Sequence, residues 1–413
     1  MDKEKLKEIL LEQSKRKKEI VYVPRQLSEK IKEYLKTPFV IIISGVRRCG
    51  KSTLLFKIKQ DLEHFYVDFD DERFINFKLD DFQSLYEVLI ELFGEKEIFI
   101  FDEIQNIKGW ERFVRRLHDE GKKVYLSGSN ASMLSRELGT HLTGRNITFS
   151  LHPFSFREFL DFKKQPVDVG RLTSNEKSLL KRLFNEYLDK GGFPEYLLTE
   201  KEEYLKSVYE NIIYRDIITR YKLPQEKPIK EVVYYSVSNL GKEISFNQLR
   251  KLTNLTSATT IKEYFEYLEN SYLCFLVSRY DSSLKKQNYY NKKIYFIDTA
   301  IARLFGFRIS KDLGRMLENV VFLELKRKNK EVYFYKGKTE CDFIIREGIT
   351  VTEAIQVTER LGENRDREIK GLLEAMAEFK LKEGLILTSD QEEEIKEGDK
   401  LIKVRPIWRW LLS

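Results

Sequence analysis

A lysine and a serine set behind two spaced glycines mark the first place where this chain could do chemistry. Gly45-Val46-Arg47-Arg48-Cys49-Gly50-Lys51-Ser52, followed by Thr53, fits G-x-x-x-x-G-K-[ST] at every fixed position. The glycines let backbone N–H groups converge on phosphate oxygens, and the helix that follows directs its positive end at the same anion. Lys51 would reach the β- and γ-phosphates, and the Ser52 hydroxyl would complete the Mg²⁺ shell, so ATP and Mg²⁺ are the expected ligands. Cys49 occupies a variable position of the loop. Downstream, Asp102-Glu103 supplies two carboxylates with two jobs. Asp102 would hold Mg²⁺ through water, and Glu103 would orient and deprotonate the attacking water. Ser127, Ser129 or Asn130 could bond the γ-phosphate or the lytic water, and Asn130 is the preferred candidate. Arg145 suits an arginine finger reaching a neighbouring subunit's nucleotide, which requires a homo-oligomer, for example a hexamer.

Those residues need a scaffold, and the hydropathy pattern supplies one. Val40 to Ile43 read as a strand buried on both faces, and Ser44-Gly45 break it. Ile98 to Phe101 form a second such strand, with the acid pair at its carboxyl end, where parallel sheets bind ligands. HFYVDFDD (64–71) and KKVYLSGSN (122–130) read as further strands. TLLFKIKQDL and residues 81–94 read as helices, the latter ending at Gly94. A short helix, ASMLSREL, precedes Arg145, and ITFSL (147–151) is the next strand. Residues 3–36 read as two helices around a break at Pro24.

GVRRCGKST, IFIFDEIQ, LSGSN, LTGR and HPFSFREFL together resemble the AAA-type ATPase domain of a family of archaeal and bacterial proteins. The resemblance covers nearly the whole chain. It implies a multidomain α/β protein: a parallel-sheet P-loop core, a helical lid, a winged helix-turn-helix and a nuclease-like α/β end. The expected boundaries are an N-terminal helical segment (1–36), the ATPase core (37–155), the lid (156–227), the winged helix (228–311) and the nuclease-like domain (312–413). In such ATPases a lid arginine senses the γ-phosphate, and Arg215 and Arg220 are the candidates here. DKGGFPEYLL (189–198) is the one marked turn of the lid segment.

The C-terminal half carries two further sets of candidates. A helix, a Thr/Asn turn, a second helix capped by Ser257 and two apolar β segments follow the order of a winged helix. DSSLKKQNYYNKK (281–293) would be a basic wing, so Lys262, Lys285, Lys286, Lys292 and Lys293 are the phosphate-contact candidates. Glu263, Glu266 and Glu269 on the second helix oppose that reading, and a protein partner is the alternative. Beyond residue 312, Glu318, Asp342 and Gln356 resemble the layout of PD-(D/E)XK nucleases, which need a metal-binding acid pair and a lysine. The lysine position reads Thr358, while Glu359 is expected on the opposite strand face. That departure puts nuclease activity in doubt.

Composition narrows the partners. The chain has 413 residues, with 73 basic against 66 acidic side chains. The net charge of +7 permits a nucleic-acid surface without demanding one. No apolar run approaches the ~20 residues of a membrane span, and the charged N-terminus is no signal peptide, so a cytoplasmic location is expected. Three scattered cysteines argue against a disulfide framework or a zinc site. The expected activity is Mg²⁺-dependent ATP hydrolysis coupled to binding or remodelling a partner, DNA before protein. A signalling switch acting through the winged helix is the alternative, with an ATP-regulated nuclease last.

Overall fold

Four consecutive β-branched residues have no polar face to offer water, so they must be covered on both sides. In the computed structural model they form β1 (Val40–Ser44), every residue of which is buried. The structure describes residues 1–15, 22–59, 63–130, 142, 144–165, 167–168, 170–255, 257–306 and 313–413. The expected helix ASMLSREL and most of the GTHLTGR stretch lie outside the described residues. The chain divides into two compact units, Met1–His152 with Asn270–Tyr272, and Pro153–Glu269 with Leu273–Ser413.

The first unit is built on a parallel five-stranded sheet. Its strands are β1, β2 (His64–Asp68), β3 (Ile98–Asp102), β4 (Lys123–Gly128) and β5 (Asn146–Ser150), in the order β2-β3-β4-β1-β5. This order sets β4 between β1 and β3, so all three carboxyl ends open on one crevice. The helices Lys51–Lys59, Asp81–Phe93 and Trp110–Asp119 connect the strands. The core is unusually aromatic: Phe65, Phe69, Phe74, Phe82, Phe99 and Phe101 are each at most 2% exposed. The helix Lys3–Lys15 adds Leu6, Ile9 and Leu10 to this core. Lys123 ties the entry of β1 in place. Its ammonium donates to the carbonyls of Tyr34, Thr37 and Phe39 at 2.8–2.9 Å, and burial lowers its pKa to about 8.

The second unit begins with helices, among them Phe156–Phe162 and Ser174–Lys190, each entered through a capping box. The turn after the latter uses Gly191 at φ 64°. A Cβ there would lie 2.1 Å from Asp298 Oδ1. Residues Ile212–Thr219 form a π-helix. A three-stranded sheet follows, β6 (Glu243–Ile244), β8 (Lys292–Phe296) and β7 (Cys274–Ser278) in that order, with helices Phe246–Leu252 and Ala258–Asn270 between β6 and β7. The last sheet has six strands, ordered β13-β14-β12-β11-β10-β9. They are β9 (Glu331–Lys336), β10 (Glu340–Glu347), β11 (Thr350–Val357), β12 (Glu383–Thr388), β13 (Glu393–Glu397) and β14 (Lys400–Pro406). The helices Leu313–Arg327 and Arg365–Glu378 belong to this part of the chain. Among the described residues, no helix is long and apolar enough to cross a membrane.

Candidate nucleotide-hydrolysis site

The phosphate loop leaves β1 at Ser44 and closes onto the helix Lys51–Lys59. Gly45 is required by contact, because a Cβ there would sit 2.1 Å from the Leu151 carbonyl oxygen. Gly50 is required by backbone shape, at φ 103°. Arg48 also takes a left-handed conformation, at φ 67°, while Val46 and Cys49 are buried at 0% exposure. Arg25 fastens the loop from outside, donating to the Cys49 carbonyl at 2.8 Å and to the His152 carbonyl at 2.5 Å. Cys49 Sγ rests on the Leu151 carbonyl at 3.3 Å. The thiol pKa is raised by burial. Arg47 lies 3.8 Å from Asp70. Replacing Gly45 with Ala must push β5's exit or the loop aside. That strain, about 1–3 kcal/mol, is expected to weaken ATP binding about tenfold to a hundredfold, as read by fluorescent-nucleotide titration.

Lys51 points back over its own loop. Its ammonium donates to the carbonyls of Gly45 and Val46 at 3.1 and 3.2 Å and lies 3.4 Å from Glu103 Oε1. Asp102 and Glu103 end β3. Asp102 Oδ1 accepts from Ser127 Oγ, and its Oδ2 accepts from the Tyr66 hydroxyl at 3.0 Å. Burial, then the neighbouring Glu103, raise the Asp102 pKa, against bonds from Ser127, Ser52 and Tyr66. Glu103 turns the chain at φ 52°, an unusual conformation for a residue with a Cβ. Its N–H is held by Ser127 Oγ at 3.1 Å, and its Oε2 accepts from Gln105 at 2.5 Å and the Ser129 amide at 3.3 Å. Burial would raise the Glu103 pKa, but Lys51 and Arg47 outweigh it and bring it down to about 2.

The structure thus brings Lys51, Ser52, Asp102 and Glu103 together, along with Ser127, Ser129, Tyr66 and Gln105. Tyr66 and Gln105 were not singled out in the sequence, although Gln105 closes the IFIFDEIQ stretch. Asn130 is fully buried just past the end of β4. Thr53 is half-buried on the first turn of the helix. Arg145 lies at the other end of the sheet, its carbonyl accepting from Val40 N at 2.9 Å and its guanidinium paired with Asp119 at 2.6 Å. Some 15 Å of β1 separates it from the loop of its own chain. A residue outside these motifs also reaches the site: Tyr272 donates to Ser44 Oγ at 2.9 Å. The oxygen set of Ser52 and Asp102, bonded to each other, suits a hard cation such as Mg²⁺.

In the second unit the lysine candidates separate. Lys262, Lys285 and Lys286 are exposed. Lys262 lies 6.0 Å from the centroid of the Phe246 ring. The expected wing is instead a short helix, Leu284–Tyr289, running into β8. Lys292 is half-buried and bonds Ser278 Oγ at 2.7 Å. Lys293 is not a phosphate contact, because strand alternation turns it inward and leaves it 2% exposed. Its ammonium meets Asp342 Oδ1 at 2.8 Å, Glu318 Oε1 at 3.0 Å and Glu340 Oε1 at 2.7 Å. Gln356 lies beside Asp342, its Oε1 accepting from the Asp342 amide at 3.2 Å. Glu359 also departs from expectation: β11 stops at Val357, and the turn after it brings Glu359 into the wall of a cavity that Glu318, Asp342 and Gln356 also line. Glu269, expected to repel phosphate, accepts from the Leu276 amide at 2.9 Å. Arg220 lies 3.8 Å from buried Asp216.

Two family models match, an AAA domain over residues 37–160 and a domain of unknown function, DUF8612, over residues 181–310. The uncharacterized protein MJ1544 of Methanocaldococcus jannaschii is 37% identical over 397 residues, 90% of this chain and 88% of that one. An uncharacterized protein of Haemophilus influenzae is 30% identical over 350 residues, 80% of this chain and 85% of its own length. Among solved structures, the Walker-type ATPase PABY2304 of Pyrococcus abyssi aligns at a TM-score of 0.43 and 17% identity, over 69% of this chain and 96% of that one. A parallel-sheet P-loop core matching the AAA domain, followed by further helical and sheet regions, runs through a chain that aligns with these relatives over most of its length. The chain carries an AAA domain and belongs to the same family as the uncharacterized protein MJ1544.

Proposed function

We propose that this chain hydrolyses ATP with Mg²⁺ and couples turnover to binding or remodelling DNA. The observation that carries the reading is the meeting of Lys51, Ser52, Asp102 and Glu103 at the carboxyl ends of β1 and β3, around β4. Without nucleotide, Lys51 is spent on loop carbonyls and on Glu103. Phosphates entering the loop offer Lys51 a stronger partner. As Lys51 turns to them, Glu103 loses the stronger of the two cations that hold its pKa low, Lys51 before Arg47, and its carboxylate becomes a better base toward water. The base is therefore armed by the substrate. Ser127 and Ser129 keep Glu103 in place while this happens, and Ser52 and Asp102 would hold Mg²⁺, which when bound supplies charge neutralisation at the β- and γ-phosphates.

Arg145 is the arginine finger in this proposal, acting on a neighbouring subunit. It is exposed and remote from its own loop, so a homo-oligomer is required. The helices Phe246–Leu252 and Ala258–Asn270 with β7 and β8 act as the winged helix, and Lys262, Lys285 and Lys286 contact phosphate. Ser257 supports that assignment by accepting from Thr259 N at 3.0 Å at the start of the second helix. An ATPase assay with and without duplex, branched and single-stranded DNA, run beside a mass measurement in ATP, tests the whole. Turnover should rise several-fold with DNA, fall steeply with salt, and require the assembled form. Turnover that ignores DNA at low salt would remove DNA from the proposal and leave the hydrolysis.

A further inference from the structure

The second unit holds a cavity of about 680 Å³ whose wall includes Glu318, Glu340, Asp342, Gln356, Arg367 and Glu368. Its acid pair belongs to a layout that, in nucleases, coordinates a divalent metal. Here the point between the carboxylates already holds a cation. Lys293 Nζ stands 2.8 Å from Asp342 Oδ1, 3.0 Å from Glu318 Oε1 and 2.7 Å from Glu340 Oε1. These are charge-assisted hydrogen-bond lengths, and an ammonium has three protons to give. One goes to each carboxylate, leaving none for a substrate phosphate.

Further hydrogen bonds draw on the same carboxylates. Asp342 Oδ2 accepts from the Val357 amide at 3.0 Å, and Glu318 Oε1 also accepts from the Tyr295 hydroxyl at 2.6 Å. Gln356 takes the Asp342 amide on its Oε1 and gives its Nε2 to Glu368 at 2.6 Å. Mg²⁺ needs about six oxygens at roughly 2.0–2.1 Å. The residues present do not fit a metal while Lys293 stands among them.

We propose that Lys293 is a built-in cation occupying the divalent-metal position between Glu318 and Asp342. The cleft then holds no metal and does not cut phosphodiesters, and removing the ammonium opens a divalent-cation site. Burial supports this, since two or three converging carboxylates require a positive charge at their centre. The lysine comes from β8, whereas the carboxylates come from the helix Leu313–Arg327 and from β10. The ammonium thus does the work of cross-linking that a metal would otherwise do.

The test is Mn²⁺ titration of the nucleotide-free full chain, following the free ion by EPR, in an Asp102→Asn background that removes the other acid pair. Wild-type Lys293 and Lys293→Arg should show no Mn²⁺ that Asp342→Asn abolishes. Lys293→Ala should gain one Mn²⁺ per chain, lost again in Lys293→Ala/Asp342→Asn, and its melting temperature should rise with Mn²⁺. A chain with Lys293 intact that holds one Mn²⁺ dependent on Asp342 overturns the proposal, as does a folded Lys293→Ala chain that gains none. The arm with Lys293 intact decides the question if Lys293→Ala fails to fold.

Discussion

Glu103→Gln is expected to stop ATP turnover while leaving ATP binding intact. Glutamine keeps the shape of glutamate, and its carbonyl oxygen can still accept from Gln105 and the Ser129 amide. It cannot take a proton from water. Loss of a general base lowers kcat by on the order of 10²–10⁴-fold. The ion pair with Lys51 at 3.4 Å is lost as well, which frees Lys51 for phosphate and pushes ATP affinity up rather than down. Phosphate release measured beside nucleotide titration separates the two effects. Native-rate hydrolysis by this variant would show that the base is another residue, and unchanged turnover with weakened binding would show that Glu103 merely shapes the loop.

Lys51→Ala is expected to act in the opposite sense on binding, and it carries a second effect visible with no nucleotide present. Losing the phosphate cation should weaken ATP binding by on the order of a hundredfold, about 3 kcal/mol. In metal-free, nucleotide-free buffer the same change takes from Glu103 the first of its two cations and leaves Arg47. With Lys51 present, the folded Glu103 pKa stands at about 2 against an ordinary 4.5. The pair therefore contributes stability that is present above pH 4.5 and is lost as pH falls through about 2. Without Lys51, the largest of the effects that lower the Glu103 pKa is gone while burial still raises it, so the folded value moves up and the stability that the native chain shows above pH 4.5 shrinks. The gap between native and variant chains should be largest near pH 7, on the order of 3 kcal/mol, and should close as the pH drops. Urea midpoints across pH measure it. A gap that does not vary with pH would assign the loss to packing of the lysine stem.

The candidate site was legible in the sequence because its parts obey local rules. A strand of β-branched residues must be buried, its carboxyl end faces the crevice of a parallel sheet, and motifs at two such ends must meet. The contacts of Ser127 with Asp102 and Glu103 were not legible. They depend on the β3–β4 register, which pairs Phe101 with Leu126 and sets Ser127 next to the acid pair. Lys293 was misplaced for a related reason. A Lys-Lys run after two tyrosines and an asparagine reads as a solvated wing, and only the start of β8 fixes which lysine turns inward. Its partners Glu318, Glu340 and Asp342 lie between 25 and 49 residues away, beyond any local pattern. The strands β13 and β14 escaped because Glu393–Glu397 has the composition of a charged loop. Pairing with β14 on a sheet edge supplies the order that composition withholds.

Trp110 opens the helix that follows the acid pair and is wholly buried. The other two tryptophans, Trp408 and Trp410, lie in the second unit. A chain carrying Trp408→Phe and Trp410→Phe would therefore emit from the ATPase sheet alone. Its emission would report the unfolding of that unit separately, in a protein whose halves would otherwise be read as one transition.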